Sequence, residues 1–181
     1  INCVKQAVSS YSGLHILVNN AGIIGKATTV SDLPDDALAR TFEVNVYGTI
    51  YCAREAIQRM ATSKGGRGGV IINVSSVAAR LGSPGEYVHY AASKAAVETF
   101  TIGLAKEIGG EGIRVNALQA GTTDTDISKL SGNPDRPAMV AAMSPLGRVA
   151  SADDIAAGIL WLASPESSYV IGAVVPVSGG L

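Results

Sequence analysis

"GGVIINVSS" (68–76) decides the reading of the chain. Val70, Ile71 and Ile72 follow one another without the polar alternation of a half-solvated strand. A short continuous apolar run of this kind suits a strand buried on both faces, as in a parallel sheet covered by helices. Three more runs share the pattern: "LHILVNN" (14–20), "GIRVNALQA" (112–120) and "GAVVPVSGG" (172–180). Helical patterns lie between them. "INCVKQAVSSYS" (1–12) reads as a helix already under way. "DDALARTFEVNVYGTIYCAREAIQRMA" (35–61) opens with acidic residues, which the helix dipole favours. "EYVHYAASKAAVETFTIGLAKEIG" (86–109) stops at the glycine pair Gly109–Gly110. "SADDIAAGILWLA" (151–163) begins with Ser151 and Asp154 at capping-box spacing. The order α-β-α-β-α-β-loop-α-β predicts an α/β fold with a doubly wound parallel sheet in one domain, 1–181. The segment 121–148 is a long loop with weak helical patterns, "DTDISKL" and "PAMVAAM", in a place where compact domains often carry substrate-binding segments.

Composition supports a packed domain. Of 181 residues, 47% are hydrophobic, 16% are charged and 21 are glycine. A net charge of −1 argues against a nucleic-acid partner. Cys3 and Cys52 have no zinc or redox spacing, so a reducing cytoplasm is the expectation. No apolar run approaches the roughly 20 residues that span a bilayer, and no signal peptide opens the chain.

In doubly wound sheets, ligands bind beyond the carboxyl ends of the strands. The first strand is followed by Asn19-Asn20-Ala21-Gly22 and the second ends at Ser75 and Ser76. The helix after it carries Tyr90 and Lys94, four positions apart and so on one face. Gly121-Thr122-Thr123-Asp124-Thr125 follows the third strand. Asn45 sits in mid-helix, where its propensity is poor. Each has a bland alternative as turn, loop or surface residue; their joint placement on one rim is the signal. His89 adjoins Tyr90 but points about 100° away around the helix. His15 opens a strand. Both read as structural or exposed, and no His, Asp, Glu or Cys group has metal-ligand spacing.

The segments "NNAG", "NVYG", "INVSS", "YAASK", "GIRVNAL" and "GAVVPVSGG" together make the chain resemble the short-chain dehydrogenase/reductase family over essentially its whole length. The nearest flavour is the sugar (glucose 1-) dehydrogenase-like or 3-oxoacyl-acyl-carrier-protein reductase-like subgroup. The resemblance implies a Rossmann-like fold, NAD or NADP as cofactor, and a small-molecule alcohol or carbonyl substrate. It implies a catalytic set of Asn45, Ser76, Tyr90 and Lys94. Cofactor contacts would come from Asn20, Ala21, Gly22, Tyr90, Lys94, Thr123 and Thr125. Homodimers or homotetramers are expected through the helices at 35–62 and 87–109.

There are departures from the family pattern. The usual step from serine to tyrosine is thirteen; Ser76 to Tyr90 is fourteen, with the extra residue assigned to the turn at Ser83-Pro84-Gly85 and Ser75 kept as alternate. Ala120, Thr123 and Ser178 replace the family's proline, aliphatic and aspartate residues. The phosphate-binding T-G-x-x-x-G-x-G is absent; "GGRGG" (65–69) precedes a strand, whereas such a loop must lead into a helix N-terminus. The resemblance therefore implies the C-terminal portion of the domain only, binding NAD(P)H weakly or not at all on its own.

The chemistry implied is proton transfer by Tyr90, with Ser76 bonding the same substrate oxygen and Asn45 holding a water next to Lys94. A tyrosine pKa of about 10 must fall by about 3 units, or roughly 4 kcal/mol, to work near neutrality. One cation about 4 Å away supplies roughly 4 kcal/mol at an effective dielectric near 20, so Lys94 is expected to lower Tyr90. Two other functions share these motifs: a sugar-nucleotide epimerase or dehydratase, and a catalytically silent oligomerising fragment.

Overall fold

The computed structural model describes residues 2–11, 13–127, 132–133 and 135–181. The elements are α1 (Asn2–Tyr11), β1 (Ile16–Asn19), α2 (Asp35–Phe42), α3 (Gly48–Met60), β2 (Gly69–Ser76), α4 (Ala78–Leu81), α5 (Val88–Ile108), β3 (Ile113–Ala120), α6 (Arg136–Met143), α7 (Ala152–Ala163) and β4 (Val174–Val177). The four strands form one parallel sheet in the order β1-β2-β3-β4. Its register sets Ile16 beside Val70, Ile71 beside Val115, and Ala117 beside Val174.

Successive strand side chains point to opposite faces, and here both faces are covered. On one, Ile71, Ile113 and Val115 pack against Ala53, Ala56 and Met60 of α3 and Leu104 and Ile108 of α5. On the other, Val70, Ile72 and Leu118 meet Ile155 and Leu162 of α7. This two-sided burial is why the runs are continuously apolar. β1 lies at the edge of the sheet, with Ile16 and Val18 exposed at 48% and 38%.

Two details differ from the sequence pattern. The helix expected over 35–61 is interrupted: Glu43–Tyr47 is a π-helical turn linking α2 to α3. The cause is Asn45, whose buried amide is recruited by Ile23: Nδ2 donates to the Ile23 carbonyl at 2.9 Å, and Oδ1 accepts from the Ile23 amide at 2.9 Å. A π-turn inserts one extra residue and lets the side chain reach inward. Second, "PAMVAAM" forms most of α6, so the long segment is not structureless; residues 128–130 of "DTDISKL" lie outside the described residues. Ser83 between α4 and α5 is left-handed at φ 46°, flanked by Gly82 and Gly85 at 76° and 74°, so the turn assigned to the extra residue is tightly coiled.

Candidate active site

A cavity of about 950 Å³ opens beyond the carboxyl ends of the strands. Asn20, Ala21, Gly22, Ser75, Ser76, Tyr90, Lys94, Thr123 and Thr125 all line it; Asn45 does not. The sequence had named each of them.

The strand alternation separates the two serines. Ser75 is buried beneath α5, where its hydroxyl donates to Glu98 Oε1 at 2.7 Å and contacts the Lys94 carbonyl at 3.3 Å. Gln119 on β3 donates to the same Glu98 oxygen at 2.9 Å. Ser76 points the other way, to Tyr90, and as a hydrogen-bonding neighbour it favours the phenolate. Ser76 Oγ also accepts from the Ala78 amide at 3.2 Å.

Lys94 is 4% exposed and donates from Nζ to the Val74 carbonyl at 2.8 Å. Its ammonium stands 5.8 Å from the centre of the Tyr90 ring. Gly22 allows this close packing: a Cβ there would fall 3.2 Å from Lys94 Nζ and 3.3 Å from Asn45 Oδ1. Lys94 and Asn45 therefore meet under one glycine. The Asn45 side chain is already committed, to Ile23 and to Ser93 Oγ at 3.0 Å, and its carbonyl accepts from Thr49 Oγ1 at 2.9 Å. Its visible work is to pin the Ile23 loop over Lys94. The Thr123 hydroxyl donates to the Gly121 carbonyl at 3.0 Å.

The electrostatics depart from expectation. Burial pushes the Tyr90 phenol up; the Ser76 hydroxyl and the Arg136 charge oppose it. Lys94 is not among the opposing groups. Burial lowers the Lys94 ammonium to about 8, so it is neutral at the high pH where this phenol ionises. The lysine can act on Tyr90 only near neutrality, where it still carries its proton. His89, at 6% exposure, is buried rather than exposed. Burial lowers its pKa, and its ring faces the Ile24 backbone, which opposes the shift.

Two cavity residues went unnoticed in the sequence. Tyr87 is the N-cap residue just before α5 and packs in one buried cluster with Tyr90, a tertiary contact with no local signal. Arg136 comes from α6 and carried no local signal. Among the described residues no group of three His, Cys, Asp or Glu side chains could hold a metal ion, and no helix is long and apolar enough to cross a membrane.

A family model described as enoyl-(acyl carrier protein) reductase matches residues 2–181. The uncharacterized oxidoreductase YgfF of Escherichia coli (strain K12) is 47% identical over 167 residues, covering 92% of this chain and 68% of that protein. L-rhamnose 1-dehydrogenase (NAD(P)(+)) of Sphingomonas sp. (strain SKA58) is 37% identical over 180 residues, covering 98% and 69%. The crystal structure of a short-chain type dehydrogenase/reductase from Mycobacterium marinum superposes with a TM-score of 0.90 at 31% identity, over 98% of this chain and 68% of that one. The parallel sheet, the rim where Ser76, Tyr90 and Lys94 meet, and these likenesses over nearly every residue have one explanation: the chain belongs to the short-chain dehydrogenase/reductase family of oxidoreductases.

Proposed function

We propose that this site serves NAD- or NADP-dependent interconversion of a secondary alcohol and a ketone, of the sugar or 3-oxoacyl type. One observation carries the reading: Ser76, Tyr90 and Lys94 converge on a single cavity, while Ser75 is turned beneath α5. The cavity rim suits the nicotinamide-ribose end of a dinucleotide. Gly22 is the supporting detail, since its lack of a Cβ keeps the floor open above Lys94. Asn20, Ala21, Thr125 and Lys94 would hold that end. When bound, the nicotinamide supplies or accepts the hydride.

The remaining work belongs to this chain. Tyr90 gives a proton to the carbonyl oxygen in reduction and takes it back in oxidation. Ser76 donates a hydrogen bond to the same oxygen as negative charge develops there. Lys94, charged near neutrality, stabilises the phenolate that Tyr90 leaves behind. Asn45 keeps the Ile23 loop in place over the ammonium. Burial of Tyr90 favours its protonated form, which suits it to act first as the acid.

The test has two parts. Calorimetry of residues 1–181 with NADH and NADPH is expected to show weak binding or none, because no glycine-rich loop in these residues leads into a helix N-terminus. In a form that binds dinucleotide, Tyr90→Phe should lower turnover on the order of 10²–10⁴-fold; near-normal turnover would defeat the assignment. We also propose that the chain pairs with its own copies through the helices at 35–62 and 87–109, where Tyr47, Tyr51 and Ile102 are exposed. A sedimentation velocity run at micromolar concentration showing only monomer would exclude it.

A further inference from the structure

The cavity wall holds a second polar group that the reaction above does not use. Tyr87 is fully buried and lines the cavity, and its hydroxyl is the one buried side-chain polar atom among the described residues with no hydrogen-bond partner. The Arg136 guanidinium stacks on the same ring, 5.3 Å from its centre. Through Nη1, Arg136 forms an ion pair with Glu86 Oε2, and both side chains are largely shielded, at 24% and 33% exposure.

From this juxtaposition we propose that Arg136 and Tyr87 form a second anchor that reads an uncharged oxygen on the substrate, close to the carbon that reacts at Tyr90. The inference rests on the function proposed above and narrows its substrate class to neutral hydroxy-ketones and polyols. Three considerations lead there. A guanidinium has five N–H donors in a planar fork, and the ion pair with Glu86 is made through one nitrogen. Glu86 offsets part of the charge, so the pair offers donors with a weaker pull on an anion than a lone guanidinium would have. Leu81, Val140 and Met143 make the adjoining walls apolar, which further disfavours a charged substrate. A buried hydroxyl without a partner is costly, and a substrate oxygen would relieve it. Sites built to hydrogen-bond a substrate oxygen discriminate strongly against analogues that lack it.

The experiment compares 3-hydroxybutan-2-one with its near-isostere 3-methylbutan-2-one, by NMR shift titration of the chain at millimolar ketone. The hydroxyketone is expected to bind at least about tenfold more tightly. Arg136→Met and Tyr87→Phe should each abolish the preference by weakening the hydroxyketone alone. Tyr87→Phe should do so without lowering the melting temperature, because the hydroxyl has no protein partner to lose. If Arg136→Met does not fold, Arg136→Lys keeps the charge, loses the planar fork, and should also lose the preference. Equal binding of the two ketones, no binding of either, or variants that weaken both alike would overturn the proposal. Failure of the underlying reaction would look different: in a form that binds dinucleotide, Tyr90→Phe would leave turnover intact while the binding preference of the chain persisted.

Discussion

α5 and α7 cover opposite faces of the same sheet, and they are built by different means. α7 is specified locally. Ser151 Oγ accepts from the Asp154 amide at 3.1 Å, Asp154 Oδ2 accepts from the Ser151 amide at 2.7 Å, and Arg148 grips the same carboxylate with two nitrogens. α5 has no side-chain cap at its N-terminus. Its inward face interleaves Tyr90, Ser93, Lys94 and Thr101 with Ala91 and Val97, and becomes wholly apolar from Leu104 to Ile108. Polar groups buried under α5 find partners on β2 and β3, far away in sequence. The start of α7 is fixed by its own residues, although Ile155 and Ile159 also line the cavity; the start of α5 depends on the sheet. Changes to the cap of α7 should therefore alter stability alone, and changes to the buried polar face of α5 should alter stability and chemistry together.

The sharpest contrast lies between neighbouring serines on the strand that faces α5. In a dinucleotide-binding form, Ser76→Ala should lower the reduction rate on the order of 10²-fold by removing a donor to the developing oxyanion. Ser75→Ala should leave that rate nearly intact and lower stability by about 1–3 kcal/mol, because Glu98 loses a donor. Steady-state rates and urea melts of both variants would decide it, and the reverse ranking would break the separation.

Lys94 tests whether α5 gives up stability for its site. An unfolded lysine holds its proton to about 10.5, the folded one to about 8. Between those values the unfolded chain carries the extra proton, so stability should climb as pH rises from about 8 to 10.5; below 8 the penalty is present in full. Lys94→Met should flatten that climb and raise stability at pH 7 by up to about 3 kcal/mol. Denaturation of both proteins across that range would show it, and parallel pH curves would count against it.

The smallest effects belong to α7. Ser151→Ala should cost about 1 kcal/mol through the lost cap. Arg148→Ala should cost less, about 0.2–1 kcal/mol, since that ion pair is partly solvated. Neither should change turnover. A rate loss in either would show that α7 is coupled to the site after all.

How much of this could be read from sequence depends on the range of the forces. Val70-Ile71-Ile72 and its counterparts announced buried strands because both faces are apolar, and Ser151 with Asp154 announced the start of α7 because a cap is a contact between near neighbours. The π-turn was invisible, since the group that recruits Asn45 is Ile23, twenty-two positions away. The resemblance supplied Tyr90 and Lys94; which serine faces them required the strand alternation to be anchored in space. The pH range in which Lys94 can act on Tyr90 was hidden for a related reason. Burial, which no local pattern reports, lowers the lysine to about 8, so its ammonium is not permanent. Arg136 escaped because its partners Glu86 and Tyr87 lie across a long segment.

The polar rungs beneath α5 also bear on how sequences of this kind can drift. Asn19 bonds Asn73, Asn73 bonds Thr101, and Ser75 and Gln119 share Glu98. A helix seated on interchangeable aliphatic side chains can slip along its groove with little loss. Here a slip of one turn, about 5.4 Å, would strand several buried donors and acceptors at once. The rungs act as a key in a keyway, fixing where Tyr90 stops along the sheet. Residues on the outer side of α5 are thereby released from positioning the phenol, and any limit on substitutions there comes from pairing between copies.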